Sequence, residues 1–258
     1  MTDYDGFRLE RDAACRVATI TLDVPGKFNR VSIAARDQLA RLFAELGRDE
    51  AVRFVVLTGA GEALTAGGDI AGFLEVEPEH LSGLAWNVAA PERCPKPVIA
   101  KLRGYAFGVG LELALACDFR IAADDVELAL PEIKLGMIPG SGGTQRLARL
   151  IGLGRAKDAI MRGRRIPAAE ALAIGLVTEV VPPDELEAAV DRLIDELAAL
   201  SPIALAMAKR VLNHAYDGPL ALGLEVEGLA YGVLRSTHDF KEGVEAFFAK
   251  RPPRFEGR

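Results

Sequence analysis

An α/β fold is predicted by three features of the sequence. Short apolar runs alternate with stretches of helical periodicity as far as Val181. Glycine-rich passages join them at residues 64–70, 104–110 and 136–143. Beyond Val181 only helical periodicity remains. The 258 residues approach the upper end of what one compact domain holds, and with 50% of them hydrophobic there is ample material for a core.

Taken in order, residues 16–22 alternate Val17, Thr19 and Thr21 against Ala18, Ile20 and Leu22, and with residues 7–10 they predict a strand pair. Ser32 suits the N-cap of a helix reaching Leu46, because Leu39, Leu42, Phe43 and Leu46 recur at helical spacing and Gly47 then stops it. Residues 54–57 are wholly apolar between Arg53 and Thr58, the pattern of a strand covered on both faces. Residues 64–70 pass through glycines into a short helix. Pro95 and Pro97 break the next helical stretch before a strand at 98–101. A helix over about 108–116 and strands at 119–122 and 127–130 follow. Residues 177–181 form the last strand, ended by Pro182 and Pro183, and helices are expected at 184–200, 202–214, 220–234 and 240–250. A soft boundary near Ser201 divides a core of residues 1–200 from a helical region of residues 201–258, with no linker and no strong internal repeat.

The net charge of −6 excludes the clustered basic footprint of a nucleic-acid binder. An anionic ligand would have to be met by local positive groups and backbone N–H donors. Cys15, Cys94 and Cys117 are odd in number and far apart, which suits reduced thiols in a cytoplasm rather than a disulfide framework or a zinc site. The acidic start, Met1 to Asp5, lacks the apolar run of a secretory signal, and no stretch reaches the ~18–20 apolar residues of a membrane span. His80, His214 and His238 are isolated and show no metal-ligand spacing.

Three segments carry candidate chemistry. In Leu64-Thr65-Ala66-Gly67-Gly68-Asp69-Ile70 the glycines let backbone approach a ligand and present free N–H groups, although for this segment alone a tight strand-to-helix turn is the plainer reading. Between Gly104 and Cys117 the only ionisable group besides the Tyr105 phenol is Glu112. A carboxylate in so apolar a helix is either an acid/base group or a buried ion-pair partner of Arg103 or Arg120. Glu132 follows a strand and precedes the glycine-rich run to Gly143; by itself it could be an exposed loop carboxylate. Familiar alternatives fail. Leu113 stands where a dinucleotide fingerprint needs its third glycine, the run to Gly143 lacks the P-loop Gly-Lys-Ser/Thr ending, and Pro139 stands two before Ser141 where a nucleophile elbow needs glycine.

In order and spacing these three segments, with the Asn29 region and the ending from Glu242 to Arg251, resemble the enoyl-CoA hydratase/isomerase (crotonase) superfamily over nearly the whole chain. The resemblance implies a crotonase-like spiral of ββα units with a helical C-terminal region used for trimerisation, as a homotrimer or a hexamer built as a dimer of trimers. It implies that Glu112 and Glu132 are the two catalytic glutamates. Ala66 and Val109 match the positions whose backbone N–H groups form the oxyanion hole. Ala66, Gly67, Gly68, Asp69 and Ile70 would line the substrate, Lys27 would approach the CoA phosphates, and Phe247 and Lys250 would lie near the CoA of a neighbouring subunit. No cofactor is implied, since coenzyme A is part of the substrate, and no metal, nucleic acid or membrane. Many members have Gly where this chain has Val109; the N–H survives the change, while valine adds stiffness and bulk beside the acyl group. Gly67-Gly68-Asp69 varies the usual Ala-Gly-Ala/Asn-Asp pattern, and the stretch from Phe28 to Ser32 departs from the commoner Asn-Ala-Leu-Asn.

The implied reaction is hydration of a 2-enoyl-CoA thioester. Two backbone donors would stabilise charge on the thioester oxygen, each worth ~3–4 kcal/mol, and two carboxylates flanking one water would share the proton transfers. Glu112 is assigned to orient and deprotonate water, and Glu132 to protonate C2, as a coupled pair. An isomerase working with one carboxylate, a hydrolase or lyase on the same fold, and a non-catalytic CoA-thioester binder are the alternatives. Val109, Trp86 and residues 64–74 are candidates to shape the acyl pocket.

Overall fold

The computed structural model describes residues 4–12, 16–26 and 28–258; Lys27 and Cys15 lie outside them. The strands are β1 (Phe7–Asp12), β2 (Val17–Leu22), β3 (Phe54–Gly59), β4 (Val98–Leu102), β5 (Tyr105–Phe107), β6 (Phe119–Ala123), β7 (Glu127–Ala129), β8 (Arg165–Pro167) and β9 (Glu179–Val181). The helices are α1 (Ile33–Arg48), α2 (Ile70–Phe73), α3 (Pro78–Ser82), α4 (Leu84–Val88), α5 (Ala90–Arg93), α6 (Val109–Ala116), α7 (Gly143–Ile151), α8 (Leu153–Arg162), α9 (Ala168–Ala173), α10 (Leu186–Ala198), α11 (Pro202–Asn213), α12 (Leu220–Arg235) and α13 (His238–Ala249).

Six strands form one sheet in the order β1-β2-β3-β4-β6-β9, and three form a second in the order β5-β7-β8. In the large sheet only the β1–β2 pair is antiparallel. The apolar run in β3 is buried on both faces, as its composition predicts. Val55 and Leu57 enter the main core with Leu39, Phe43 and Leu46 of α1. Phe54 and Val56 face the other way, with Ile99 and Ile121, onto Leu186, Val190 and Ile194 of α10. Each of these side chains contributes about 1.5–3 kcal/mol on leaving water.

The chain advances as a spiral. β4 joins the large sheet, β5 the small one, and α6 follows; β6 and β7 repeat the move, and a 3-10 turn (Glu132–Leu135) then leads toward α7. The preceding turn does the same in reduced form, because a single bridge between Thr65 and Ala106 carries β3 to the small sheet ahead of α2. There the Thr65 N–H donates to the Tyr105 carbonyl at 3.0 Å and the Phe107 N–H donates to the Thr65 carbonyl at 3.1 Å. The repetition is geometric and leaves no trace as a sequence repeat.

Ser32 caps α1, its hydroxyl accepting the Ala35 N–H at 2.9 Å. Gly47 does not end that helix, contrary to expectation. A β-carbon at Gly47 would lie 2.8 Å from Pro95 Cδ, so this glycine serves close packing inside the last turn. The three-residue strands β5 and β8 escape prediction, because neither lies in a longer apolar run of the kind that marks β7 and β9. Beyond Ser201, Lys209 of α11 is held to the core by Asp118 at 2.6 Å and by the carbonyls of Pro91 and Lys96. α12 and α13 expose Leu220, Leu229, Tyr231, Phe247 and Phe248. Among the described residues no helix is long and apolar enough to cross a membrane.

The start of α6 depends on how closely the Thr65 side chain can approach it. A β-carbon at Gly110 would lie 2.3 Å from Thr65 Cγ2. Gly110→Ala is therefore expected to lower unfolding stability by about 1–3 kcal/mol, the usual scale of overpacking, in a urea titration. An unchanged midpoint would show that the two segments part freely.

Candidate active site

Glu112 sits in the first turn of α6, 2% exposed. Neither arginine considered from sequence is its partner. Arg103 pairs with Asp125 at 3.2 Å. Arg120 is spent on the carbonyls of Ala114, Cys117 and Leu176, where it closes the C-terminal end of α6. Glu112 Oε1 instead accepts the backbone N–H groups of Ser141, at 2.7 Å, and Gly143, at 3.0 Å. Hydrogen bonds to a charged group contribute about 1.5–3 kcal/mol each. The glycine-rich run thus wraps the carboxylate. A β-carbon at Gly143 would lie 2.9 Å from both Leu130 Cδ1 and Pro139 Cβ and 3.0 Å from Glu112 Oε1, so no other residue allows the approach.

Glu132 opens the 3-10 turn after β7 and is half-buried, not the exposed loop carboxylate its local sequence allows. Its Oε1 lies 3.1 Å from where a β-carbon at Gly108 would stand, and Gly108 has φ +54°, so both space and backbone require glycine there. Glu132 Oε2 is buried with no hydrogen-bond partner. Burial pushes the Glu132 carboxyl up to about 7 and the charge of Glu112 adds to the rise, while its own backbone N–H and Arg36 oppose it.

The expected oxyanion pair needs one correction. The Ala66 N–H is donated to the Phe28 carbonyl at 2.9 Å, so it is not available to a ligand. Asn29 is the cause. Its Oδ1 accepts the Val24 N–H at 3.1 Å, and its Nδ2 donates to the carbonyls of Ala60 and Ala63, both at 2.9 Å. This pins Phe28 and Asn29, at φ +49° and +53°, against residues 60–66. The unusual stretch from Phe28 to Ser32 thereby has a structural role. Among the described residues, the N–H groups of Gly68 and Val109 meet no acceptor. That of Val109 is one of the orphan donors at the start of α6. The two segments are neighbours, since a β-carbon at Gly67 would lie 3.6 Å from the Phe107 carbonyl oxygen and one at Gly108 would lie 3.9 Å from Gly67 Cα.

The structure therefore brings together Gly67, Gly68, Val109, Glu112 and Glu132. Asp69 and Ile70 begin α2 beside them; Asp69 pairs with Arg30 at 3.6 Å and Ile70 is exposed. Phe247 and Lys250 are not brought to the site within this chain. They lie at the exposed end of α13, where Phe247 packs edge-on against Phe248. Trp86 is exposed beneath the Arg93 guanidinium. Sequence reasoning missed Arg36, a guanidinium only 4% exposed that donates to Ser141 Oγ at 3.2 Å. Its place on the apolar stripe of α1, three residues before Leu39 and seven before Phe43, was the available signal.

The family model described as enoyl-CoA hydratase/isomerase matches residues 12–258. YngF of Bacillus subtilis strain 168, provisionally named an enoyl-CoA hydratase/isomerase, is 42% identical over 93% of this chain and 95% of its own length. The short-chain-enoyl-CoA hydratase of Clostridium acetobutylicum is 36% identical over 92% of each chain. Among solved structures, the enoyl-CoA hydratase of Bacillus anthracis superposes with a TM-score of 0.91 at 39% identity, covering 98% of this chain and 100% of that one.

The raised pKa of Glu132 has a sign that can be checked. The folded state holds this proton more tightly than the unfolded state does, so the contribution is full below about pH 4.5 and is lost as pH rises through about 7. Glu132→Gln removes the dependence. Melting temperatures of wild type and variant, compared at about pH 5 and about pH 8, should show wild type losing ground to the variant on the alkaline side. A constant difference would place Glu132 in a solvated setting.

Proposed function

Because the chain belongs to the enoyl-CoA hydratase/isomerase family, we propose that it is a 2-enoyl-CoA hydratase, a lyase that adds water across the double bond of an enoyl thioester. The observation that carries this reading is the convergence of two dissimilar carboxyl groups on two unclaimed backbone N–H donors. The thioester oxygen is received by the N–H groups of Gly68 and Val109, which stabilise the enolate-like charge that develops as water attacks. Glu112, fixed through Oε1 by Ser141 and Gly143, keeps Oε2 to orient the attacking water. Glu132, whose carboxyl is pushed up to about 7, carries a proton for C2 near neutral pH.

Atoms balance in one pass. Water oxygen bonds to C3 and its proton goes to Glu112, while the π electrons of the double bond take the proton of Glu132 at C2. The pair ends with its single proton moved from one carboxyl to the other, and solvent exchange restores it. Two carboxylates support hydration over a double-bond shift, which one can perform. No cofactor is called on beyond the CoA of the substrate. A cleft of about 860 Å³ lined by Phe28, Gly61, Arg103 and Tyr105 opens beside the Phe28–Ala66 contact and offers the CoA a seat. The exposed apolar side chains of α12 and α13 suit burial against further copies of the chain, in a trimer or a dimer of trimers, which would carry Phe247 and Lys250 to a neighbour's CoA. The buried, unpaired thiols of Cys94 and Cys117 suit a reducing cytoplasm.

Crotonyl-CoA hydration, followed as loss of the enoyl absorbance, tests the reading. Glu112→Gln and Glu132→Gln should each lower kcat by about 10²–10⁴-fold. Undiminished rates in both variants would sink the mechanism. Wild-type enzyme that leaves crotonyl-CoA unchanged but shifts a 3-enoyl double bond would make the isomerase the correct assignment.

A further inference from the structure

Arg36 is the only charged residue on the buried stripe of α1. Its Nη1 donates to Ser141 Oγ at 3.2 Å, and its Cζ lies 5.2 Å from the centroid of the Phe73 ring. Its Nε is buried without a partner, and among the described residues Nη2 meets no acceptor either. Nε and Nη2 form one edge of the guanidinium, the edge that binds a carboxylate side-on through two parallel hydrogen bonds.

No carboxylate supplied by the described residues lies within ion-pair distance of that edge. Glu112 and Glu132 act on Arg36 only at longer range, against a larger burial effect that lowers its pKa. Glu112 Oε1 is already taken by two backbone donors, and Glu132 is close to half neutral near pH 7. A buried guanidinium left in this state is costly to folding, and such unmet groups concentrate where a ligand completes them.

Its neighbours are the proposed oxyanion donor and the loop that holds Glu112. A β-carbon at Gly68 would stand 2.6 Å from Arg36 Nη2 and 3.2 Å from Phe73 Cζ, so Nη2 borders the residue whose N–H receives the thioester oxygen. Through Ser141, whose N–H holds Glu112, Nη1 borders the carboxylate that directs water to C3. We propose that Arg36, steadied by Ser141 Oγ, receives a carboxylate at the far end of the acyl chain, so that the preferred substrates are CoA monothioesters of unsaturated dicarboxylic acids. This inference rests on the hydratase reading for its chemistry and for the seat of the thioester.

The test compares trans-4-carboxybut-2-enoyl-CoA with its uncharged isostere, trans-5-methylhex-2-enoyl-CoA. Wild-type kcat/KM should favour the carboxylate by at least about tenfold. Arg36→Met should collapse that ratio and Arg36→Lys should restore part of it. A purely structural arginine would lower both rates together and leave the ratio unchanged, which would overturn the proposal, as would a wild-type preference for the isostere. Calorimetry with the saturated pair, glutaryl-CoA and 5-methylhexanoyl-CoA, reads the same preference without turnover. If neither enoyl ester is hydrated, the hydratase reading fails; the proposal then stands or falls on whether glutaryl-CoA binds more tightly and loses that advantage in Arg36→Met.

Discussion

The carboxylate of Glu112 is buried in an apolar helix, and two backbone N–H groups from a distant loop make that possible. A charge placed there without partners would be expelled or neutralised. The donors of Ser141 and Gly143 meet it at 2.7 and 3.0 Å, and the contact fixes much else. It requires glycine at position 143, where Leu130, Pro139 and the carboxylate itself leave no room for a β-carbon. It ties the start of α7 to the first turn of α6. Arg120 secures the other end of α6 by binding its last carbonyls, so the helix that presents Glu112 and the Val109 N–H is held at both ends.

From that anchor the two carboxyl groups acquire different characters. Glu112 Oε1 is saturated by donors, while Glu132 keeps an oxygen buried and unpaired and titrates near 7. A proposed water-activating group and a proposed proton carrier thus stand in one site because their surroundings differ, not because their side chains do. Glycines make the shared space. Gly108 lets Glu132 approach, Gly110 lets Thr65 pack on α6, and Gly68 admits Arg36. Each is a place where one added methyl group would push a wall of the site out of position.

Much of this is legible in sequence where one segment carries its own signal. The apolar run of β3, the Ser32 cap and the isolation of Glu112 among apolar neighbours each follow from local pattern. Glu132 gains its meaning only from tertiary structure, because the room for its carboxylate comes from Gly108 on another segment. The Ala66 assignment failed for a related reason. Backbone availability depends on what else the N–H meets, and the competing acceptor, the Phe28 carbonyl, lies on a loop positioned by Asn29 through contacts more than 30 residues away in sequence. Arg36 was passed over because one cation on an amphipathic helix reads as a solvated residue until its stripe position is compared with Leu39 and Phe43.

In the proposed mechanism Glu112 and Glu132 act as one unit on one water. A double-mutant cycle on crotonyl-CoA hydration addresses it most directly, with Glu112→Gln and Glu132→Gln made singly and together. The double variant should then be about as slow as the slower single variant, because removing either carboxyl already disables the shared transfer. Effects that multiply in full would mean two independent contributions and would contradict it.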